Sequence, residues 1–446
     1  MLIYVPKLTN RLGYTLNVIF HNVLHVDFEI TTDADTFSQR ADAALCYGPH
    51  RVSENAVWIK SCDLLFQTTI ESQEPHAFVS DGIHALFPVY GRDLDFHFDI
   101  LAATFYMVSR YEEYLPHHTD IHGRFLACES IAYQEGFLRK PVVDQWAQMI
   151  GKKINERFPD IRFQQHRYEH LTTIDIDAAY CYKNKGTFRT LAGFARDLFL
   201  RHDAAEFHHR WRVITRKEDD PFDTFDYILN QQARHPGNPV VFFVLLADYG
   251  MFDKNISYHN AEFCQLIKHL GDYAKIGIHT SYASFNNPET IETETSRLAN
   301  ITHRNIVRNR SHFLRLQFPE TYRVLLHAGI RHDYTMGYAE EPGFRAGISV
   351  EFPFYNLERD SEMPLTIHPF SIMETTLKRY KNMPPDEAWE VFKEIMDNVK
   401  AVDGTFSCIW HNQNLCDDFG WQGWRKVFEQ MLDYSDKLKT RNQTTH

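Results

Sequence analysis

The stretch PVVFFVLLADYG, residues 239–250, constrains the fold most. It is an unbroken apolar run with no polar residue on alternate positions, as in a strand covered on both faces. At nine residues, PVVFFVLLA is too short to cross a bilayer. A strand covered on both sides needs helices above and below it, which points to an α/β architecture with a parallel sheet. The surrounding sequence keeps that rhythm. Strands are expected at LTTIDIDA, PVVFFVLLADYG, KIGIHTSY, SHFLRLQ, IRHDYTM, PLTIHPF and FSCIWHN, with helical stretches between most of them. In DEAWEVFKEIMDNVKAV the apolar residues Ala388, Val391, Phe392, Ile395, Met396 and Val399 recur at helical spacing. Seven strands with intervening helices predict βα units that close into a complete or distorted barrel.

The rhythm begins near ERFPDIRFQQHRYEHL. Before it, short strands and helices mix, with helices expected over 95–115 and 140–158. A boundary between residues 165 and 166 therefore divides a smaller α/β domain, 1–165, from the strand–helix domain, 166–446. The chain of 446 residues is 43% hydrophobic and long enough to fold around a large core. Its net charge of −12, taken as spread along the chain, disfavours nucleic acid and anionic membrane surfaces as partners. Seven scattered cysteines without a C-x-x-C pair argue against a disulfide framework. With no signal-peptide pattern at MLIYVPKLTN and no membrane-spanning run, a cytoplasmic location is expected.

Acids and histidines recur where the strands of the second half end: Asp175, Asp177, Asp248, His279, His312, Asp333, His368 and His411. Barrel enzymes carry their chemistry at the carboxyl ends of strands. In TTIDIDAAY, Asp175 and Asp177 fall on one face of a strand, roughly 6–7 Å apart. Two like charges at that distance require a cation, a donor or a shared proton between them.

The second half resembles the polysaccharide deacetylase (NodB-like, carbohydrate esterase) superfamily of distorted (β/α) barrels. TTIDIDAAY resembles its first motif, T-F-D-D-G; IGIHTSYAS resembles the second, H-[ST]-x-x-H; GTFSCIWHN resembles the last, a strand ending in a catalytic histidine. DYTMGYAEEPGFRAG, with FYMVSRYEEYL, HGRF and PVVDQW upstream, resembles a bacterial subgroup with an extra N-terminal domain of unknown function. The resemblance implies a distorted seven-stranded (β/α) barrel and removal of N-acetyl groups from a saccharide or glycan. It also implies a divalent metal: zinc, with nickel or cobalt also suited to an N/O ligand set.

Carried onto this chain, the resemblance makes Asp177 and His279 metal ligands and Asp175 the general base. His411 is the general acid, with Asp333 orienting it. Arg345 in GFRAG pairs with Asp175, and the glycines around it let backbone approach a substrate. The sequence departs from the second motif, because Ala283 stands where a second histidine is expected. His312 in RNRSHFLRL is the substitute third ligand, since a catalytic zinc site takes three protein ligands and an open position. Ser284 could hold a water or a ligand imidazole, and Tyr282 or Trp410 could wall a sugar ring. Two other readings stand beside this one. Ala283 favours a catalytically impaired barrel that binds carbohydrate or acts as a scaffold. A metal-free glycosidase needs two opposed carboxylates, and Asp175 and Asp177 lie too close on one strand for that. The cluster in LPHHTDIHGRF reads as a polar loop, and EFHHRWR as a solvated helix face.

Overall fold

The computed structural model describes residues 1–161, 163 and 167–440, and the expected boundary at 165/166 lies outside the described residues. The N-terminal part holds a parallel sheet of β1 (Leu2–Tyr4), β2 (Glu29–Thr31), β3 (Ala43–Gly48) and β4 (Val57–Lys60) in the order β2-β1-β3-β4. A small hairpin follows, β5 (Phe78–Ser80) and β6 (Ile83–Ala85). The helix expected over 95–115 is shorter, Ile100–Val108. Asp99 starts it by accepting from the Ala102 amide, since a carboxylate can satisfy a free N–H in the first turn. Arg110, in the left-handed region at φ 54°, follows the helix end, and its guanidinium turns into a buried ion pair. The second expected helix runs Val142–Arg157 and buries Val142, Val143, Trp146, Ala147, Ile150 and Ile154 at the a/d-like spacing of one face.

The second half is built on one sheet: β7 (Glu169–Ile176), β8 (Val240–Leu245), β9 (Lys275–Thr280), β10 (Arg308–Ser311), β11 (His332–Asp333), β12 (Phe352–Asn356), β13 (Ser361–Ile367), β14 (Ile372–Met373) and β15 (Thr405–His411). The order is β12-β13-β11-β10-β9-β8-β7-β15-β14, with every neighbouring pair parallel except β12 and β13. This corrects the expected seven-stranded barrel: the sheet has nine strands, and β12 and β14 are its unpaired edges. It is curled but not closed. Between β13 and β14 the chain crosses the gap in four residues, where Phe370 N–H donates to Met336 and Ser371 N–H to Ser407. β14 and the antiparallel β12 escape a sequence reading because two residues show no period and Pro353 interrupts the other.

β8, the run that fixed the architecture, is buried at all six positions. The helix Pro385–Ala401 buries the six apolar residues named above. A single hydrophobic core runs through both halves, and buried polar contacts cross between them. Asp144 accepts from the Ser349 amide and hydroxyl at 2.9 and 2.6 Å. Gly343, at φ 145°, and Gly347 give room to Leu138, Met107 and Val142 of the N-terminal part rather than to a substrate. Among the described residues no helix is long and apolar enough to cross a membrane.

Candidate metal centre

β7 delivers Asp175 and, one step past its end, Asp177; β9 delivers His279; the turn after β10 delivers His312. Parallel pairing of β7, β8, β9 and β10 in close register brings their carboxyl ends to one mouth. There Asp177, His279 and His312 each offer one ligand atom, all within 4.8 Å of one another. Asp177 Oδ1 stands 3.3 Å from His279 Nε2 and 3.7 Å from His312 Nε2.

The protonation of the imidazoles follows from their outer partners. His279 Nδ1 is 2.8 Å from the Arg310 carbonyl, which can only accept, so Nδ1 carries a proton. His312 Nδ1 lies 2.8 Å from Asp253 Oδ1, with the same consequence. In its neutral form each ring would then turn an Nε2 lone pair toward Asp177, the arrangement in which an outer acceptor fixes a metal-ligating histidine. Asp177 Oδ1 and Asp175 Oδ1 are buried atoms without a hydrogen-bond donor. Converging lone pairs and an unmatched carboxylate oxygen fit a divalent cation with N/O ligands. The acids and imidazoles also act on one another. Burial opposes a charged His279, but Asp175, then Asp177, raise it above its ordinary value. Burial likewise opposes ionisation of Asp177, yet His312, His279 and His411 hold it well below the usual carboxylate range.

Asp253 was missed by the sequence reading. It also accepts from the amides of Tyr282 and Ala283, at 2.9 and 3.3 Å. So the SYAS turn, whose Ala283 removes an expected histidine, uses its backbone to hold the acid behind His312. Ser284 bonds the Ser281 carbonyl and does not reach the ligands.

Asp175, 3.8 Å from His279 Nε2, is buried beside the cluster. Its cationic neighbour is Arg310 at 3.6 Å, not Arg345. Arg310 is wholly buried between the rings of Phe243 and Phe370. Arg345 lies instead on Glu113, at 2.9 and 2.5 Å, and donates to the Gly337 carbonyl. Glu113 in turn binds Arg110, which reaches the Arg345 carbonyl, so Arg345 ties the two halves together. A sequence gives no hint which acid a buried arginine will meet.

His411 ends β15 with Nε2 3.8 Å from Asp177 Oδ2, across the cleft from His312. Its orienting acid is Glu374, not Asp333: Glu374 Oε1 accepts from His411 Nδ1 at 2.7 Å, from its amide at 3.0 Å and from Asn414 at 2.7 Å. Burial opposes the imidazolium, but Glu374 and then Asp177 and Asp175 push it up to about 9. Asp333 is buried deeper in the sheet, where Asn309 and Thr335 donate to it and burial raises its carboxyl. Asp248 is exposed on Arg297, and His368 turns to the amino ends of the strands, between His332 and Glu351. Trp410 is core, stacked on Phe392.

The cleft over these residues holds about 260 Å³. The N-terminal part reaches it. Arg124, fixed by Asp120, donates to the Phe313 carbonyl and the Tyr380 hydroxyl at the rim. The HHTDIHGRF loop is thus a wall of the cleft. His122, Tyr282, Phe252 and Phe313 form an aromatic cluster beside it.

Residues 1–159 match a family profile described as a family of unknown function, DUF7033. No curated protein matches the chain. Among solved structures, a Mycobacterium smegmatis protein assigned as a polysaccharide deacetylase is similar over 63% of this chain and 94% of its own, at 12% identity and a TM-score of 0.39. The polysaccharide deacetylase Bc1974 from Bacillus cereus is similar over 61% of this chain and 89% of its own, at 12% identity and a TM-score of 0.29. A CE4 family pseudoenzyme is similar over 61% of this chain and 63% of its own, at 10% identity and a TM-score of 0.28.

Proposed function

We propose that this chain is a metal-dependent hydrolase that removes N-acetyl groups from a saccharide. The observation that carries the reading is the convergence of Asp177, His279 and His312, with Asp175 and His411 beside them. Asp177, His279 and His312 hold the cation. When bound, a zinc, nickel or cobalt ion supplies Lewis acidity toward an acyl oxygen and makes water a stronger nucleophile at neutral pH.

The chain's own groups do the rest. Asp175 takes the proton from water as its oxygen attacks the amide carbon, and the facing Arg310 keeps Asp175 in position. His411, protonated on both nitrogens, gives its Nε2 proton to the amine as the C–N bond breaks. Acetate and a free amine leave. Glu374 fixes His411 and favours its charged form, so the acid is loaded before substrate arrives. Base and acid come from paired positions of neighbouring strands, Asp175 on β7 and His411 on β15, and both stand beside the cluster.

The placement of His312 beside Asp177 and His279 supports an enzyme over the rival reading, a catalytically impaired barrel that binds carbohydrate or acts as a scaffold. Two measurements test the proposal. Purified protein should hold one divalent metal per chain, lost in Asp177→Ala and His279→Ala. The loaded protein should release acetate from N-acetylated chitooligosaccharides. Metal content unchanged by both substitutions rejects the site; loaded protein that frees no acetate from any N-acetylated glycan rejects the reaction.

A further inference from the structure

The insertion after β7 forms two antiparallel helical arms, Gly186–Leu200 and Ala204–Ile214, and its polarity is inverted. The faces that meet carry Asp197 on Arg210 at 2.6 Å and Phe194 against Phe207 at 4.9 Å. The outer face carries Phe188, Leu191, Ala192, Ala195 and Phe199, the spacing of one helical stripe. Phe188 is 83% exposed, Leu191 67%, Phe199 70% and the adjoining Leu200 78%. A soluble helix normally turns such a stripe inward.

Two further observations say what covers it. The first is continuity with a second element. Arg189 stacks on Tyr249 and donates to the carbonyls of Lys254 and Asn255, joining the arm to a loop where Tyr249 is 59% and Met251 80% exposed. Two segments joined through Arg189 thus both expose large apolar residues, more than the single scattered ones an ordinary surface carries. The second is charge. The chain as a whole carries −12, but residues 183–217 hold nine Lys and Arg against three Asp and Glu. Of the three acids that follow directly, Asp220 is buried on the amides of 181–183 and Glu218 pairs with Arg212. Arg210 is taken up by Asp197, Arg212 by Glu218 and Arg216 by Glu262, which leaves Arg196 and Arg201 as the exposed basic residues beside the stripe. Arg196, its Nε 3.8 Å from Asp197 Oδ1, lies on the flank of the stripe and Arg201 at its end. A second copy of the chain would set one basic rim against another; an anionic surface would not.

We infer that this arm docks the protein on an anionic lipid surface, lying in the interface with Phe188, Leu191 and Phe199 among the acyl chains. The placement has a consequence that rests on the proposed deacetylation. The arm leaves the same end of β7 that carries Asp177, and its partner loop supplies Asp253. A docked arm holds the cleft close to the membrane, which suits a saccharide confined to that surface, such as one carried on a lipid.

The test is cosedimentation of the full chain with vesicles of phosphatidylcholine alone or mixed with phosphatidylglycerol. The anionic vesicles should take up the protein, less so as salt rises. Phe188→Ser/Leu191→Ser/Phe199→Ser should weaken uptake on the order of a hundredfold. Arg196→Glu/Arg201→Glu should weaken it on anionic vesicles. All five positions are exposed, so the variants keep the wild-type melting temperature and metal content. Uptake that is absent, or equal for wild type and the triple variant, overturns docking while leaving the metal site intact. So does a dimer in solution that the triple variant dissociates, since a second copy would then own the surface.

Discussion

Replacing Asp253 by Asn tests the metal centre without touching a ligand. Asp253 Oδ1 accepts from His312 Nδ1 at 2.8 Å, and the same carboxylate accepts from two amides of the SYAS turn. Asparagine keeps one accepting oxygen but loses the charge that makes His312 a stronger donor to a cation. Its amide nitrogen must also face the N–H of Ala283 or turn away. Losing an outer partner of this kind weakens metal binding about 10–100-fold. The consequence for melting can be worked out. At a free zinc concentration ~100 times the wild-type dissociation constant, binding stabilises the native state by about 2.7 kcal/mol. For a chain of 446 residues, an unfolding entropy of about 2.1 cal/mol/K per residue converts that to a rise of about 3 °C. In Asp253→Asn at the same zinc, a tenfold loss leaves about 1.4 kcal/mol, or about 1.5 °C. Asp177→Ala should abolish the shift. Differential scanning calorimetry with and without zinc, paired with a competitive chelator titration, measures both quantities. If Asp253→Asn binds zinc within about twofold of wild type, His312 is not a ligand oriented by that acid.

Three further outcomes follow from named contacts. Glu374→Gln keeps an acceptor for His411 but removes its charge, so the His411 pKa falls from about 9 and the alkaline loss of acetate release begins at lower pH; an unmoved limb in the pH–rate profile would clear Glu374 of that role. Glu113→Ala leaves Arg110 and Arg345 buried without their shared partner, and should cost about 3–5 kcal/mol in urea unfolding. Glu294, buried under the Ser281 amide, is pushed up to about 7 by desolvation. Because its folded pKa lies above the unfolded value, stability is fully present below about pH 4.5 and falls as pH rises toward 7. Glu294→Gln should remove up to about 3 kcal/mol of that fall, and melts of both forms at pH 4.5 and 7.5 show whether the curves converge on the acid side.

The architecture was legible where burial leaves a pattern. β8 is a continuous apolar run and the helix Pro385–Ala401 a regular one, and both formed as read. That the sheet stops short of a closed barrel was not legible, because its ends depend on a two-residue strand and a four-residue crossing that carry no period. In the site, Asp175, Asp177 and His279 stood out through the pleat and the motifs around them. Their partners did not. Glu374, Asp253 and Arg310 lie 37 to 135 residues from the groups they face. Arg345 was assigned an acid and met a different one, and Asp333 was assigned a histidine and met Asn309 and Thr335, since a sequence shows that a buried charge needs a mate but not which one. Even spread of charge failed for the same reason: a sum over the chain hides a basic arm among acidic neighbours.

His312 and His411 raise a final question, because the two look alike. Each has an acid on Nδ1 and each turns Nε2 toward Asp177, at 3.7 and 3.8 Å. What separates them is the oxygen they meet. His279 and His312 both address Oδ1, the atom with no donor, and so share one focus. His411 addresses Oδ2, the oxygen that also faces Gln413 at 3.5 Å, and it does not join the group whose ligand atoms lie within 4.8 Å. On the proposed reading, one carboxylate divides three imidazoles into two ligands and one proton donor. Asp177→Asn should therefore damage both functions together, whereas His411→Ala should leave the metal in place and remove the acid alone. A His411→Ala protein that loses its metal as completely as His312→Ala would place His411 among the ligands and leave the amine without its proton source.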